Sequence, residues 1–162
     1  MSFFKQISRI RLKRSNTLPK QPDLSGLESE SNNQKGANLV EVRIEPDSAE
    51  TKAQSLLKAR TIESSVFTIG RRRGLVSDSP EDIDFSIRQV EPYTVSRRHC
   101  SIERLEDCII LHDLGGKYGS LVNGQRIGGR ATAPKSIRLA RGQYDLVLGP
   151  RDSTFRFKLI ID

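Results

Sequence analysis

The stretch Val95–Gly124, VSRRHCSIERLEDCIILHDLGGKYGSLVNG, restricts the fold of this chain more than any other. Cys100–Arg104 and Ile109–His112 are β-type runs, and Leu105-Glu106-Asp107 between them is short and polar enough to turn the chain back. In such a hairpin the loop before it, Ser96-Arg97-Arg98-His99, and the loop after it, Gly115–Ser120, lie at the same end of a sheet. One loop brings a hydroxyl and two guanidinium groups. The other brings the Lys117 ammonium, the Tyr118 and Ser120 hydroxyls, and glycines that let backbone N–H groups come close to a guest. Together they make an anion cradle of a size that suits a phosphate.

Further short strands are expected on both sides. Leu39–Ile44 alternates, with Val40, Val42 and Ile44 on one face and Leu39, Glu41 and Arg43 on the other, and Pro46-Asp47-Ser48 ends it. Ser65–Ile69 delivers Gly70-Arg71. Ile83–Ile87, Ser136–Leu139, Tyr144–Leu148 and Thr154–Ile160 follow, and Asn123-Gly124 is a two-residue hairpin signal. Short strands separated by turns predict an all-β sandwich.

Three motifs in order carry a family resemblance. Gly70-Arg71, then V-S-R-x-H at Val95–His99 with an apolar strand after it, then D-x-G-x-x-x-G-S-x-V-N-G at Asp113–Gly124 resemble the forkhead-associated (FHA) domain. The resemblance spans roughly residues 38–162. It implies a β-sandwich of two antiparallel sheets that binds phosphothreonine-containing peptides, with no catalytic residue, no cofactor and no metal. Ser48 is placed to cap a helix through Ala53 and Leu57, but the resemblance implies instead that Ala49–Arg60 holds a hairpin return, with Leu56–Ile62 as second strand, and the strand is the expectation.

The residue chemistry fits that expectation. A phosphothreonine carries close to two negative charges and three acceptor oxygens. Arg71 offers a rigid fork of N–H donors that can take two oxygens at once, and the resemblance puts the phosphate-gripping arginine there. Ser96 can donate one more bond, and Arg97 can add charge or its backbone N–H. Where the family commonly has D-x-x-S-x-N-G-T, this chain has Asp113-Leu114-Gly115-Gly116-Lys117-Tyr118-Gly119-Ser120: Gly116 replaces a Ser, Tyr118 the Asn that contacts the peptide main chain, and Ser120 a Thr. In this version Lys117 would reach the phosphate and Tyr118 would pack beside the peptide, with Gly119 and Ser120 completing the loop; a free surface lysine is the plain alternative for Lys117. Gly70, His99, Asp113 and Asn123 are expected to support the site: Gly70 by permitting a turn, His99 by bracing the loops, Asp113 by satisfying loop N–H groups, Asn123 by its turn.

Composition limits the rest. The chain has 162 residues, 35% of them hydrophobic, and a formal net charge of +7, enough for one modest domain plus a tail. Much of the charge sits in residues 1–20, where Lys5, Arg9, Arg11, Lys13, Arg14 and Lys20 meet no acid. Residues 1–37 are expected to be a basic tail and a Pro/Ser/Asn-rich flexible linker, with the domain at 38–162. Phe3, Phe4, Ile7 and Ile10 at helical spacing would let residues 1–16 touch an anionic membrane surface weakly. Thr17, three residues after Arg14, suits a basophilic kinase and could supply the domain's own phosphothreonine. The alternative to a phosphopeptide reader is a non-enzymatic scaffold with a degenerate phosphate site, recruited by this tail to membrane or nucleic acid. Aromatic residues are 6% and none alternates with the basic clusters, so no specific nucleic acid is expected. Residues 72–82 read as an insertion beside the site. Two cysteines not placed to pair, and no secretory or membrane-spanning run, give the expectation of a cytoplasmic protein.

Overall fold

The computed structural model describes residues 40–72 and 82–162. The expectations for the tail, including residues 1–16 and Thr17, and most of those for the 72–82 insertion, lie outside these residues.

The described residues form two sheets packed face to face. The first holds β1 (Val42–Pro46), β2 (Arg60–Thr61), β7 (Ser120–Val122), β8 (Gln125–Ile127), β10 (Gly142–Leu148) and β11 (Arg156–Ile161), in the order β2-β1-β11-β10-β7-β8. The second holds β3 (Val66–Arg71), β4 (Phe85–Ile87), β5 (Cys100–Arg104), β6 (Ile109–Asp113) and β9 (Ser136–Leu139), in the order β4-β3-β5-β6-β9. Alternation decides which side chains face inward. Val42, Ile44, Phe157, Leu159 and Leu146 from the first sheet meet Phe67, Ile69, Phe85, Ile102, Ile109 and Leu111 from the second, all buried. Phe85 bridges the layers, its ring centroid 5.9 Å from that of Phe67 and 5.5 Å from that of Phe157.

Four local readings need correction. First, the sheets are not wholly antiparallel: β3 and β4 run parallel, with Ile69 opposite Phe85 and Arg71 opposite Ile87. A tight turn joins antiparallel neighbours, whereas a parallel pair needs a crossover of about a dozen residues, and the segment from Arg72 to Asp84 is long enough for one. Asp84 fixes the return, its Oδ2 accepting the Thr68 N–H at 2.7 Å. Second, the central hairpin is one residue wider than expected. The Leu105 N–H donates to Cys108 O at 2.9 Å, which sets Arg104 opposite Ile109 and Cys100 opposite Asp113. Third, Ala49–Lys52 is a helical turn, α1, capped by the Ser48 side chain, which accepts from the Thr51 N–H. Fourth, the strand expected over Leu56–Ile62 shrinks to the two residues of β2, so the capping signal at Ser48 outweighs the β-type pattern after it.

The Asn123-Gly124 reading matches the turn found: φ is 47° at Asn123 and 82° at Gly124, as the tight β7–β8 hairpin requires. Because β3 ends, β5 begins, β6 ends and β7 begins at the same end of the sandwich, the segments singled out in the sequence gather there.

Candidate functional site at the loop end of the sandwich

Backbone bonds knit the site together. The Arg71 N–H donates to Ser96 O at 2.8 Å, joining the end of β3 to the loop before β5. The Lys117 N–H donates to Ser96 Oγ at 3.3 Å, joining that loop to the glycine-rich segment between β6 and β7. His99 provides the third tie. Its Nδ1 accepts the Ser96 N–H at 3.0 Å and its Nε2 lies 3.0 Å from Gly119 O. A backbone amide can only donate, so Nδ1 is unprotonated and Nε2–H donates to the carbonyl. The ring is fully buried, and burial holds its pKa below the usual 6.5 against the opposing pull of the Gly119 bond and the Asp113 charge. His99 is a neutral brace between two loops.

Glycines let these loops approach. A Cβ on Gly70 would lie 1.9 Å from Arg97 O, so the requirement there is close contact inside β3 rather than a turn. A Cβ on Gly116 would press on the imidazole at 3.1 Å, so the departure from the family's Ser leaves the ring against bare backbone.

The charged groups are arranged as follows. Arg71 is half-buried; its Nε–H donates to Val95 O at 3.2 Å, and its guanidinium carbon sits 3.7 Å from the centroid of Tyr93. No carboxylate among the described residues pairs with it. Ser96 is half-buried beside it, and Arg97 and Lys117 are exposed. Lys117 Nζ lies 5.1 Å from the Tyr118 ring centroid, a cation–π distance, and Tyr118 O accepts from the Arg126 guanidinium. Arg98 pairs instead with Asp82 at 3.0 Å. Asp113 accepts the Gly115 N–H at 3.1 Å through Oδ2, the loop-satisfying role expected of it.

Three residues assigned to the site belong elsewhere. Gly119 is buried and structural: φ is +64°, its N–H is bound to Gly116 O and its carbonyl is held by His99. Ser120 is fully buried in β7, its hydroxyl beside the Cys100 thiol, so it does not face a peptide. Asn123 stands at the far end of β7, where Oδ1 accepts the Asp145 N–H at 2.7 Å, and so braces β10 rather than the site.

Two residues escaped the sequence reading. Tyr93 is the platform under Arg71. Gln89 shapes the segment that carries it: Oε1 accepts from the Thr94 and Val95 N–H groups, and Nε2 donates to Thr94 Oγ1 and Pro92 O. Neither stands in a recognisable motif.

The rim therefore presents donors and positive charge. Nucleophilic chemistry has no support in it, since the Cys100 thiol is buried and pushed up to about 12 by that burial and by the Asp113 carboxylate. Among the described residues no group of His, Cys, Asp and Glu could hold a metal, and no helix is long and apolar enough to cross a membrane.

Residues 67–144 match the FHA domain family model, from β3 into β10. This chain carries an FHA domain. FHA domains are non-catalytic modules that bind phosphorylated protein segments. The fold agrees with that of the FHA domain of the CT664 protein from Chlamydia trachomatis (TM-score 0.51, 20% identity, 74% of this chain and 96% of that one). It agrees equally with the FHA domain of an Arabidopsis thaliana hypothetical protein (TM-score 0.51, 18% identity, 76% and 86%). The FHA/BRCT-repeat domain structure of S. pombe Nbs1 is similar at TM-score 0.50 and 19% identity, over 74% of this chain and 35% of that one. No curated protein sequence matches the chain.

Proposed function

We propose that this FHA domain, extending over residues 38–162, recognises phosphothreonine in partner proteins and so couples them to Ser/Thr-kinase signalling or assembly. The observation that carries the reading is the meeting of Arg71, Ser96 and the Gly115–Tyr118 segment through the Ser96 carbonyl and hydroxyl. Arg71 binds two phosphate oxygens, Ser96 Oγ donates to the third, and Lys117 adds charge from the opposite lip. Arg97 contributes long-range attraction, and Tyr118 lies along the peptide in place of the family's Asn. The module acts by binding and not by catalysis. The free thiols of Cys100 and Cys108 suit a reducing compartment such as the cytoplasm.

Each charge-assisted hydrogen bond contributes about 1.5–3 kcal/mol before desolvation is subtracted. Losing the two that Arg71 makes is expected to weaken binding at least about a hundredfold. The test is Arg71→Ala against an immobilised library of phosphothreonine peptides, with unphosphorylated copies as control. Equal capture by the variant and the wild type would remove Arg71 from the site.

A further inference from the structure

Beside the phosphate site, on the other flank of the glycine-rich segment, lies an open cleft of about 310 Å³. Its walls include Lys117, Arg130 and Lys135, with Gly116 and Gly129 as bare backbone and Asp113 at its inner side. All three cations are exposed, and no ion pair among the described residues involves any of them. Among the described residues Asp113 is the one acid in the lining, and its Oδ2 is already engaged by the Gly115 N–H. The cleft is therefore net positive.

Its far wall is anchored. The Gly128 N–H donates to Pro134 O and the Asp113 N–H to Lys135 O, both at 2.8 Å, so the 128–135 loop is tied to itself and to the end of β6. Gly128 and Gly129, at φ +64° and +68°, let that loop press against Asp113 and the Tyr118 backbone, where a Cβ would come within 2.0 and 2.3 Å. Arg130 and Lys135 thus stand on a wall with a fixed relation to the glycine-rich segment.

We infer that this cleft receives a second anionic side chain of the same ligand, a carboxylate or phosphate a few residues from the phosphothreonine. The inference rests on the phosphothreonine reading given above. Lys117 supplies the continuity, because its backbone N–H contacts Ser96 and the same residue lines the cleft. An extended peptide advances about 3.3 Å per residue, so the offset from the phosphothreonine at which an acid is preferred measures how far apart the two pockets lie. Among the described residues no aromatic ring lines the cleft to stack a nucleobase, which favours a peptide over a nucleic acid. Cations this exposed act through a screened field, so they select among phosphopeptides rather than bind alone.

The test is an oriented library of phosphothreonine peptides in which each flanking position carries Asp, phosphoserine, Ala or Lys in turn, captured by the full chain at low and high salt. Wild-type protein is expected to enrich the acidic peptides about tenfold over Ala at one or two neighbouring positions, and salt should erode that enrichment. The Asp and phosphoserine arms tell which anion fits. The double variant Arg130→Ala/Lys135→Ala should lose the enrichment yet still require phosphothreonine, and Lys135→Glu should shift preference toward Lys. Phosphothreonine-dependent capture without acidic enrichment in the wild type would overturn the cleft assignment alone. Capture indifferent to phosphothreonine would overturn the functional reading and the cleft with it, as would a single-stranded oligonucleotide that displaces every peptide equally.

Discussion

The two ends of the sandwich each use an arginine against backbone carbonyls, and the difference between them separates recognition from stability. At the base, Arg104 turns inward from the end of β5. Nη1 donates to Glu63 O at 2.8 Å and Nη2 to Val40 O at 3.1 Å, clamping the chain on either side of β1 and β2. At the loop end, Arg71 makes a single such bond among the described residues, through Nε to Val95 O, and rests its flat face on Tyr93. One guanidinium turns its terminal nitrogens to the fold. The other is steadied by its shaft and one face, and among the described residues its terminal nitrogens have no protein acceptor, as the proposed phosphate contact requires.

The strongest test of that contrast pairs the two substitutions. Arg104→Ala is expected to cost about 1–3 kcal/mol of unfolding free energy by removing two charge-assisted bonds, one to the exposed Glu63 carbonyl and one to the part-buried Val40 carbonyl, measured by urea titration. Phosphopeptide affinity at a temperature where the variant remains folded should hardly move. Arg71→Ala should show the reverse: binding abolished and stability within about 1 kcal/mol of wild type, since only one bond and a half-exposed ring contact disappear. If both variants lose both properties alike, the division between the ends is wrong.

His99 belongs to both categories, so its effect should be intermediate. His99→Ala leaves the part-buried Ser96 N–H unpaired, at about 1–3 kcal/mol, and takes one of two donors from Gly119 O, which keeps the Gly149 N–H at 2.9 Å; it also unties the loops of the proposed phosphate site. Both melting temperature and peptide affinity are expected to fall. The same residue makes the loop end sensitive to acid. The unfolded chain takes up a proton on this ring near 6.5, and the folded chain only at lower pH because burial disfavours the charge. The neutral brace therefore stabilises fully above about 6.5, and its contribution drains away as pH falls from there through the folded pKa. His99→Gln, whose amide can accept from Ser96 and donate to Gly119, should flatten the stability profile between pH 7 and 5 relative to wild type.

The smallest effect is expected from Tyr93. Tyr93→Leu removes the platform and should weaken phosphopeptide binding only about fivefold, through loss of roughly 1 kcal/mol of cation–π contact, while Tyr93→Phe should bind as wild type. Isothermal titration of one library-derived peptide resolves both.

The same contrast explains what could be read from the sequence. Gly70-Arg71, Val95–His99 and Asp113–Gly119 announce the loop end because each packs its requirement into a few adjacent residues: a glycine where a carbonyl must approach, a histidine three positions after the serine it braces. The base closes through Arg104, Glu63 and Val40, far apart in the chain, and nothing in the sequence joins them. Distance along the chain also hid the parallel β3–β4 pair, which depends on where Asp84 returns, and Tyr93, whose role comes from the path that Gln89 sets. Ser120 misled for another reason. It follows a functional loop, but it is the first residue of β7, a strand covered on both faces, and one step past Gly119 carries the chain inside.

Ser96 has a last implication. Its oxygen already receives the Lys117 amide, so the hydroxyl hydrogen is the part left to offer outward. Together with the Arg71 fork, this gives the lip a polarity in which hydrogens point out and lone pairs point in. A plain threonine offers these donors one neutral hydroxyl oxygen. The phosphorylated form proposed as the ligand brings three charged acceptor oxygens, so the modification multiplies the lone pairs that the lip can meet at one position.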